Sequence, residues 1–417
     1  MQKWTLKEII ENARKNSPYY RELYKDITSD QLANLPVVDQ TAFWKSEVVT
    51  EKNPDGIVYK SGGSTGAPKY SYFTHREWIA YTSSFGWGMS EGILSAGDKV
   101  ANLFYAGDLY ASFLFIKDSL QFITVEKMKI TQFPIAGQTD HIQILKTIEE
   151  FDINTVVGVP SAILSLLEKY NNKKFPKIKI EKFLFGGEAL YDDQFKAIRA
   201  TFPEIQISSI GCASVDGGMI GYSSKDCANN EHRVNDLVSV IEIIDADTLE
   251  LITKKNKVGK VLLTNLTRKL MPIVRYPVGD LAMWLEDEGA SNRKFKLMGR
   301  SDEAARLGTL SVYFEDTREM ILKALPEFSG LQFQMVLTHF AHKDELVFKI
   351  SGLGLEKNKG LEQRILEVFS KEKSSYEDLL KKNLIHALKI EIVEVKELES
   401  NHRTGKLKRI IDMRVKE

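Results

Sequence analysis

The chain predicts an α/β protein: a large N-terminal α/β domain with an added antiparallel β region, followed by a small C-terminal α+β domain. Three observations carry this. Between residues 140 and 211, short apolar runs of strand length alternate with helical patterns. After residue 236, strand patterns follow one another with no long helix between them. Beyond Gly299-Arg300-Ser301-Asp302 the texture changes again, to a mixture of helices and strands long enough for a small independent unit.

In chain order, residues 6–15 (LKEIIENARK) have helical spacing of their apolar positions, and Ser17-Pro18 marks a break. Residues 140–151 read as a helix and 153–159 (INTVVGV) as a buried strand. Residues 161–170 read as a helix opened by Pro160-Ser161, with Ser161 as its N-cap. Residues 182–186 predict a strand, 192–202 a helix and 205–211 another strand. The strands 239–245, 259–266 and 281–287 make up the antiparallel region. The last part holds helices at 315–325 and 361–372, and strands at 331–340, 345–352 and 389–398.

Composition narrows the function classes. The 417 residues exceed one typical core, so at least two folding units are expected. The formal net charge is zero, which argues against a global grip on nucleic acid or an anionic membrane. No apolar run approaches the roughly 20 residues that cross a bilayer, and the N-terminal residues lack a signal-peptide core. Cys212 and Cys227 are the only cysteines, so a disulfide framework is not expected and a reducing cytoplasm fits.

Five segments can carry chemistry. Ser61-Gly62-Gly63-Ser64-Thr65-Gly66-Ala67-Pro68-Lys69 lies between two strand patterns. Its glycines free the backbone to point N–H groups inward; the hydroxyls and Lys69 add donors, a nest suited to a polyphosphate. It is not a GxxxxGK[ST] loop, and a plain glycine-rich hairpin is the competing reading. Phe185-Gly186-Gly187-Glu188 ends a predicted parallel strand, the edge where α/β sheets bind ligands; taken alone, a helix-opening turn is the better explanation. Asp216, among the small residues of 209–218, can ligate Mg²⁺, or be a solvated Asp-Gly turn. Asp280, in Arg275-Tyr276-Pro277-Val278-Gly279-Asp280, reads as an acceptor for two ribose hydroxyls on a tight glycine turn, or as an ordinary surface turn. Lys406 sits in a basic C-terminal stretch whose bland reading is a solvated tail.

A metal alternative uses Cys227 and His232, five apart, with Cys212: three ligands of a zinc site, lacking an evident fourth. For a substrate pocket, Tyr105, Ala106, Gly107, Gly211 and Ala213 offer a flat slot for an aromatic ring; the alternative is that this region is only core.

The order of the motifs is more specific than any one of them. ARKNSPYYRE, LPVVDQTAF, SGGSTGAPK, FGGEAL, ASVDGG, VGKVLLTNL, RYPVGD, GRSDE and TGKLKRIIDMR together resemble the adenylate-forming superfamily, and within it the phenylacetate–CoA ligase family, over nearly the whole chain. The resemblance implies an ATP-dependent ligase that forms an acyl-adenylate from a carboxylic acid, releases pyrophosphate and passes the acyl group to a thiol. ATP and Mg²⁺ are the implied cofactors and CoA the implied acceptor. A carrier-protein pantetheine, a protein cysteine, or a non-catalytic nucleotide-binding relative are the alternatives.

By the same resemblance, residues 1–299 bind ATP and carboxylate and residues 300–417 form a mobile lid. Ser61, Gly62, Gly63, Ser64, Thr65, Gly66 and Lys69 would surround the β- and γ-phosphates, and Gly187 and Glu188 would line the adenine. Asp216 stands where relatives carry a metal-binding glutamate. Asp280 would hold the ribose, Arg300 would contact ribose or phosphate, Asp302 would be the hinge, and Lys406 would assist adenylation. One departure falls in the thiol half: Gly308-Thr309 replaces the Arg-Gly pair that follows GRSDE in that family.

Overall fold

The computed structural model describes residues 3–52, 54–60, 69–300, 304–307, 310–341, 343–352, 354, 355, 358, 360–402 and 404–414. By contacts the chain forms two compact units. The first comprises Met1–Pro160, Tyr170–Ala189 and Ile205–Ser301; the second comprises Ser161–Lys169, Leu190–Glu204 and Asp302–Glu417. These units are not contiguous in sequence. They are distinct from the body and lid (1–299 and 300–417) implied by resemblance, which remain a proposal.

The first unit holds a five-stranded parallel sheet. Its spatial order is Thr131–Pro134, Lys99–Asn102, Thr155–Gly158, Lys182–Phe185, Gln206–Ser209. The central strands Thr155–Gly158 and Lys182–Phe185 are buried at every position, as continuous apolar runs in covered parallel sheets are. Lys182 is the exception in character, and both Asp98 carboxylate oxygens accept from its ammonium at 2.8 Å.

A second, antiparallel sheet runs Glu231–Arg233, Lys294–Arg300, Tyr276–Trp284, Val258–Asn265, Ser239–Ile244. Ile243, Val261, Leu263, Tyr276 and Phe295 build its core, and the N-terminal segment packs onto it through Ile9, Ile10, Tyr20 and Phe43. That segment begins with helix Leu6–Asn16, opened by a reciprocal Thr5–Glu8 capping box. Pro18 then starts the short helix Pro18–Leu23 after the Ser17 break.

The second unit is built on a four-stranded sheet ordered Lys389–Ile392, Lys343–Ser351, Gln332–Phe340, Ile410–Asp412; the middle pair is antiparallel and the outer pairings are parallel. Helix Phe314–Ala324 covers it, with Phe314 stacked on Phe333. Helix Asp192–Thr201 joins this unit through a buried ion pair, Arg318 to Asp193 at 2.5 Å. Tyr191 donates to Glu315 at 2.8 Å, and the Arg318 guanidinium lies 3.6 Å from the Tyr191 ring centroid. Helix Pro160–Lys169 starts on its proline, so Ser161 lies in the first turn and is not the N-cap.

Candidate active site

The glycine-rich segment is spanned by an antiparallel hairpin: Gly56–Lys60 pairs with Tyr70–Thr74, with Lys60 opposite Tyr70. Ser61, Gly62, Gly63, Ser64, Thr65 and Gly66 lie outside the described residues. Lys69 is described. Its Nζ stands 3.8 Å from Asp216 Oδ2 and 5.5 Å from the Trp44 ring centroid. The exit strand runs directly into helix His75–Ser90 through a Thr74–Glu77 capping box. The other Glu77 oxygen accepts from Lys269 N at 2.6 Å and Leu270 N at 2.9 Å.

Asp216 sits on the turn between Cys212–Ser214 and Gly218–Gly221, just past the last parallel strand. Neighbouring chain pins this turn. Arg268 Nη1 donates to the Asp216 carbonyl at 2.5 Å and Nη2 to the Tyr72 carbonyl at 3.0 Å. The Arg268 side chain is fully buried, 4.1 Å from the Phe73 ring centroid. Asn265 donates to the Gly217 carbonyl at 2.9 Å, and Gly218 has φ 107°. A Cβ at Gly218 would meet Asn265 Nδ2 at 2.1 Å, so this close approach requires glycine.

The Asp216 carboxylate is the unusual group. Its Oδ1 is buried with no hydrogen-bond partner among the described residues. Burial pushes its carboxyl above the usual range, with the Lys69 charge opposing that most. An orphaned, buried carboxylate oxygen on a pinned turn fits a hard cation that takes oxygen ligands. Mg²⁺ commonly uses one or two carboxylates and completes its shell with water and substrate phosphates. It therefore does not need a cluster of protein ligands.

The described residues give the zinc alternative no support. Among the described residues, no three His, Cys, Asp or Glu side chains come together to hold a metal ion. His232 Nε2 is instead 3.1 Å from Ser209 Oγ, and Cys227 Sγ is 3.4 Å from Ser224 Oγ. Cys212 belongs to the hairpin packed against the core of the antiparallel sheet.

Asp280 is not on a turn. It lies within strand Tyr276–Trp284, directly opposite Arg300, with Arg300 Nη1 3.5 Å from Asp280 Oδ1. Gly279, at φ 86°, kinks the strand, and a Cβ there would meet Arg300 Nη2 at 2.5 Å. The glycine permits close approach of the arginine beside the carboxylate. Both groups come from strands of one sheet, a rigid mounting for a hydroxyl acceptor.

The parallel strands bring the remaining candidates to one edge. A Cβ on Gly186 would meet Ile210 Cδ1 at 2.4 Å, so the Gly186-Gly187-Glu188 turn and the chain entering Gly211 are in contact. Gly187 has φ 80°. Tyr105 follows strand Lys99–Asn102; burial and the nearby Glu188 charge push its phenol up. Gly137 packs against the Tyr105 ring and Gly211 against Phe85. Gly107 bridges to Tyr110, with Ala106 before it, and Ala213 is exposed on the Asp216 hairpin.

Lys406 belongs to the second unit. Asp302, with Gly308 and Thr309, lies outside the described residues. Sequence reading missed Arg268, which is ordinary in LTNLTRK, and Trp44, which follows an apolar helix position.

With this geometry in hand, known proteins resolve the family. The profile of the AMP-binding enzyme family matches residues 4–265. A phenylacetate-coenzyme A ligase of Aromatoleum evansii is 23% identical over 427 residues, covering 99% of this chain and 93% of that protein. An indoleacetate–lysine synthetase of Pseudomonas savastanoi is 26% identical over 283 residues, covering 65% of this chain and 67% of that protein. A solved 2-hydroxyisobutyryl-CoA ligase in the postadenylation state superposes with a TM-score of 0.69 at 20% identity, covering 98% of this chain and 88% of that one; it shares the fold. The family match takes in the glycine-rich hairpin, the Gly187 turn and the Asp216 turn, and the chain belongs to the AMP-binding enzyme family.

Proposed function

We propose that this protein activates a carboxylic acid, aromatic in class, as its acyl-adenylate and then transfers the acyl group to the thiol of CoA. The observation that carries the reading is the buried Asp216 carboxylate at the carboxyl edge of a parallel sheet: its Oδ2 stands 3.8 Å from Lys69 Nζ, and its Oδ1 has no hydrogen-bond partner among the described residues. In the first step a substrate carboxylate oxygen bonds to the α-phosphorus of ATP; the bond from that phosphorus to the bridging oxygen breaks, and pyrophosphate leaves. Asp216 would hold Mg²⁺, whose positive charge offsets charge on the phosphates. Lys69 and the glycine-rich loop would hold the β- and γ-phosphates. Asp280, stiffened by its strand and by Arg300, would accept from the ribose hydroxyls, and Gly187 and Glu188 would border the adenine.

Lys406 would donate to the α-phosphate oxygen whose charge grows as the carboxylate attacks. Tyr105, Gly107 and Gly211 would face the acyl group. In the second step a thiolate sulfur bonds to the acyl carbon, the carbon–oxygen bond to phosphate breaks, and AMP leaves. The lid, residues 300–417 turning at Asp302, would separate the two steps.

A second reading, supported by the 26% identity to an indoleacetate–lysine synthetase, keeps the first step and gives the acyl group to an amine. The change from Arg-Gly to Gly308-Thr309 in the thiol half favours weighing it. The test is a panel of aryl and alkyl acids, assayed for pyrophosphate release with no acceptor, with CoA, with lysine and with a pantetheinylated carrier protein. Acid-dependent release accelerated by CoA supports the proposal, acceleration by lysine alone supports the second reading, and release with no acid at all opposes both. No helix among the described residues is long and apolar enough to cross a membrane.

A further inference from the structure

We propose that Trp44 is a positioning residue for Lys69, holding its ammonium where nucleotide phosphates meet it. The inference rests on the assignment of Lys69 to those phosphates.

The indole is itself fixed. It belongs to helix Gln40–Lys45, whose first turn is capped by Asp39 accepting from Ala42 N at 2.7 Å. Gln40 anchors the same helix by donating to the Pro277 carbonyl. Trp44 Nε1 donates to Tyr276 OH at 3.0 Å. Its ring packs edge-on against Phe43 and Tyr276, at centroid separations of 5.0 and 6.3 Å. Tyr276 begins the strand that carries Asp280. The N-terminal segment is therefore tied to the ribose-side strand and, through the indole face, to the lysine of the phosphate hairpin.

The lysine is shared. At 3.8 Å from Asp216 Oδ2, its ammonium stands beyond the roughly 2.7–2.9 Å of a charge-assisted hydrogen bond. The Trp44 ring centroid is 5.5 Å away, within reach of a cation–π attraction. An ammonium on a flexible four-carbon stem would otherwise settle onto the nearest carboxylate. The indole attracts the cation without supplying a hydrogen-bond acceptor atom. The N–H donors of the ammonium thus stay available to phosphate oxygens instead of closing onto Asp216 Oδ2. Preordering this side chain lowers the ordering cost of binding.

The competing account is that Trp44 only packs the core, against which it is partly buried. Calorimetric titration of the whole protein with Mg²⁺–ATP separates the two. Trp44→Leu should weaken ATP about 2- to 5-fold, the range of an exposed cation–π contact. Trp44→Phe, which keeps a weaker aromatic face, should fall between Trp44→Leu and the parent. Of the five tryptophans, Trp44 should dominate the ATP-induced emission change, so that change should vanish in Trp44→Phe. Should Trp44→Leu fail to fold, the ATP affinity of Trp44→Phe still decides, since it should fall below that of the parent. Unchanged ATP affinity in folded Trp44→Leu, or an emission change that survives in Trp44→Phe, overturns the inference. If Lys69→Met also leaves ATP binding intact, the phosphate assignment falls as well. Weakening by Lys69→Met alone defeats only the role of Trp44.

Discussion

Asp216 and Lys406 both lie on tight glycine-containing turns, yet the two turns are held in different ways. The Asp216 turn is held from outside, by Arg268 on the Asp216 carbonyl and Asn265 on the Gly217 carbonyl. Among the described residues the Lys406 turn is held largely from within, with one contact from outside, Ser161 Oγ donating to the Gly405 carbonyl at 3.5 Å. Asn401 N donates to the Lys406 carbonyl at 2.8 Å, and Gly405 N, in a residue at φ 69°, donates back to the Asn401 carbonyl at 2.8 Å. Lys406 N finds Thr404 Oγ1 at 3.2 Å. In its proposed role beside a metal, the Asp216 carboxylate would need scaffolding from neighbouring strands. In its proposed role on a moving lid, Lys406 would need a turn that carries its own geometry. The contrast fits a fixed phosphate site served by a mobile donor.

The largest expected effect on stability lies outside both turns. The buried side of the molecule should be acid-sensitive through His232, which burial lowers from 6.5 to about 4. Between those values the unfolded chain binds a proton that the folded chain does not, so stability falls as pH drops from 6.5 towards 4. Across the whole window the loss amounts to about 3 kcal/mol. Urea midpoints measured across this range should fall steeply in the parent and flatten in His232→Gln. An equally steep fall in the variant would assign the sensitivity elsewhere.

The next effect would break the external bracing. Arg268→Met fills similar space but loses both carbonyl contacts. Loss of a residue that orients a metal ligand typically costs about 10- to 100-fold in metal affinity. The Mg²⁺ concentration for half-maximal pyrophosphate exchange should rise by that order, with near-UV circular dichroism unchanged. The smallest effect probes the Lys406 turn. Thr404→Ala removes the acceptor for Lys406 N, worth about 1 kcal/mol. Exchange should slow about fivefold while Mg²⁺ half-saturation stays where it was. A shift in Mg²⁺ dependence in Thr404→Ala would erase the distinction between the two turns.

Local patterns were legible wherever physics is local. The runs at 155–158 and 182–185 read as buried parallel strands because central strands covered on both faces tolerate continuous apolar sequence. The Gly-Asp pair at 279–280 read as a turn, since a positive-φ glycine usually marks one; here it kinks a continuing strand to admit Arg300. The grouping of Leu190–Glu204 with the C-terminal residues was hidden, because its helix has the spacing of any crossover helix. Contacts distant in sequence, Asp193–Arg318 and Tyr191–Glu315 among them, reveal the connection. Arg268 and Trp44 escaped for the same reason: their partners Tyr72, Asp216, Lys69 and Tyr276 come from remote segments. The glycine-rich loop and Asp302 were assigned by motif alone and lie outside the described residues, and their roles are proposals.

The most direct test of a fixed site served by a mobile donor is to measure both half-reactions of Lys406→Ala. Once an acid is found, pyrophosphate exchange reports adenylation, and consumption of a chemically supplied acyl-adenylate by CoA reports transfer. Removing one donor to developing charge typically costs about 100- to 1,000-fold. The account predicts a loss of that order in exchange, with acyl transfer close to the parent rate. Equal slowing of both half-reactions in a folded variant would place Lys406 in general substrate binding and contradict the two-role picture.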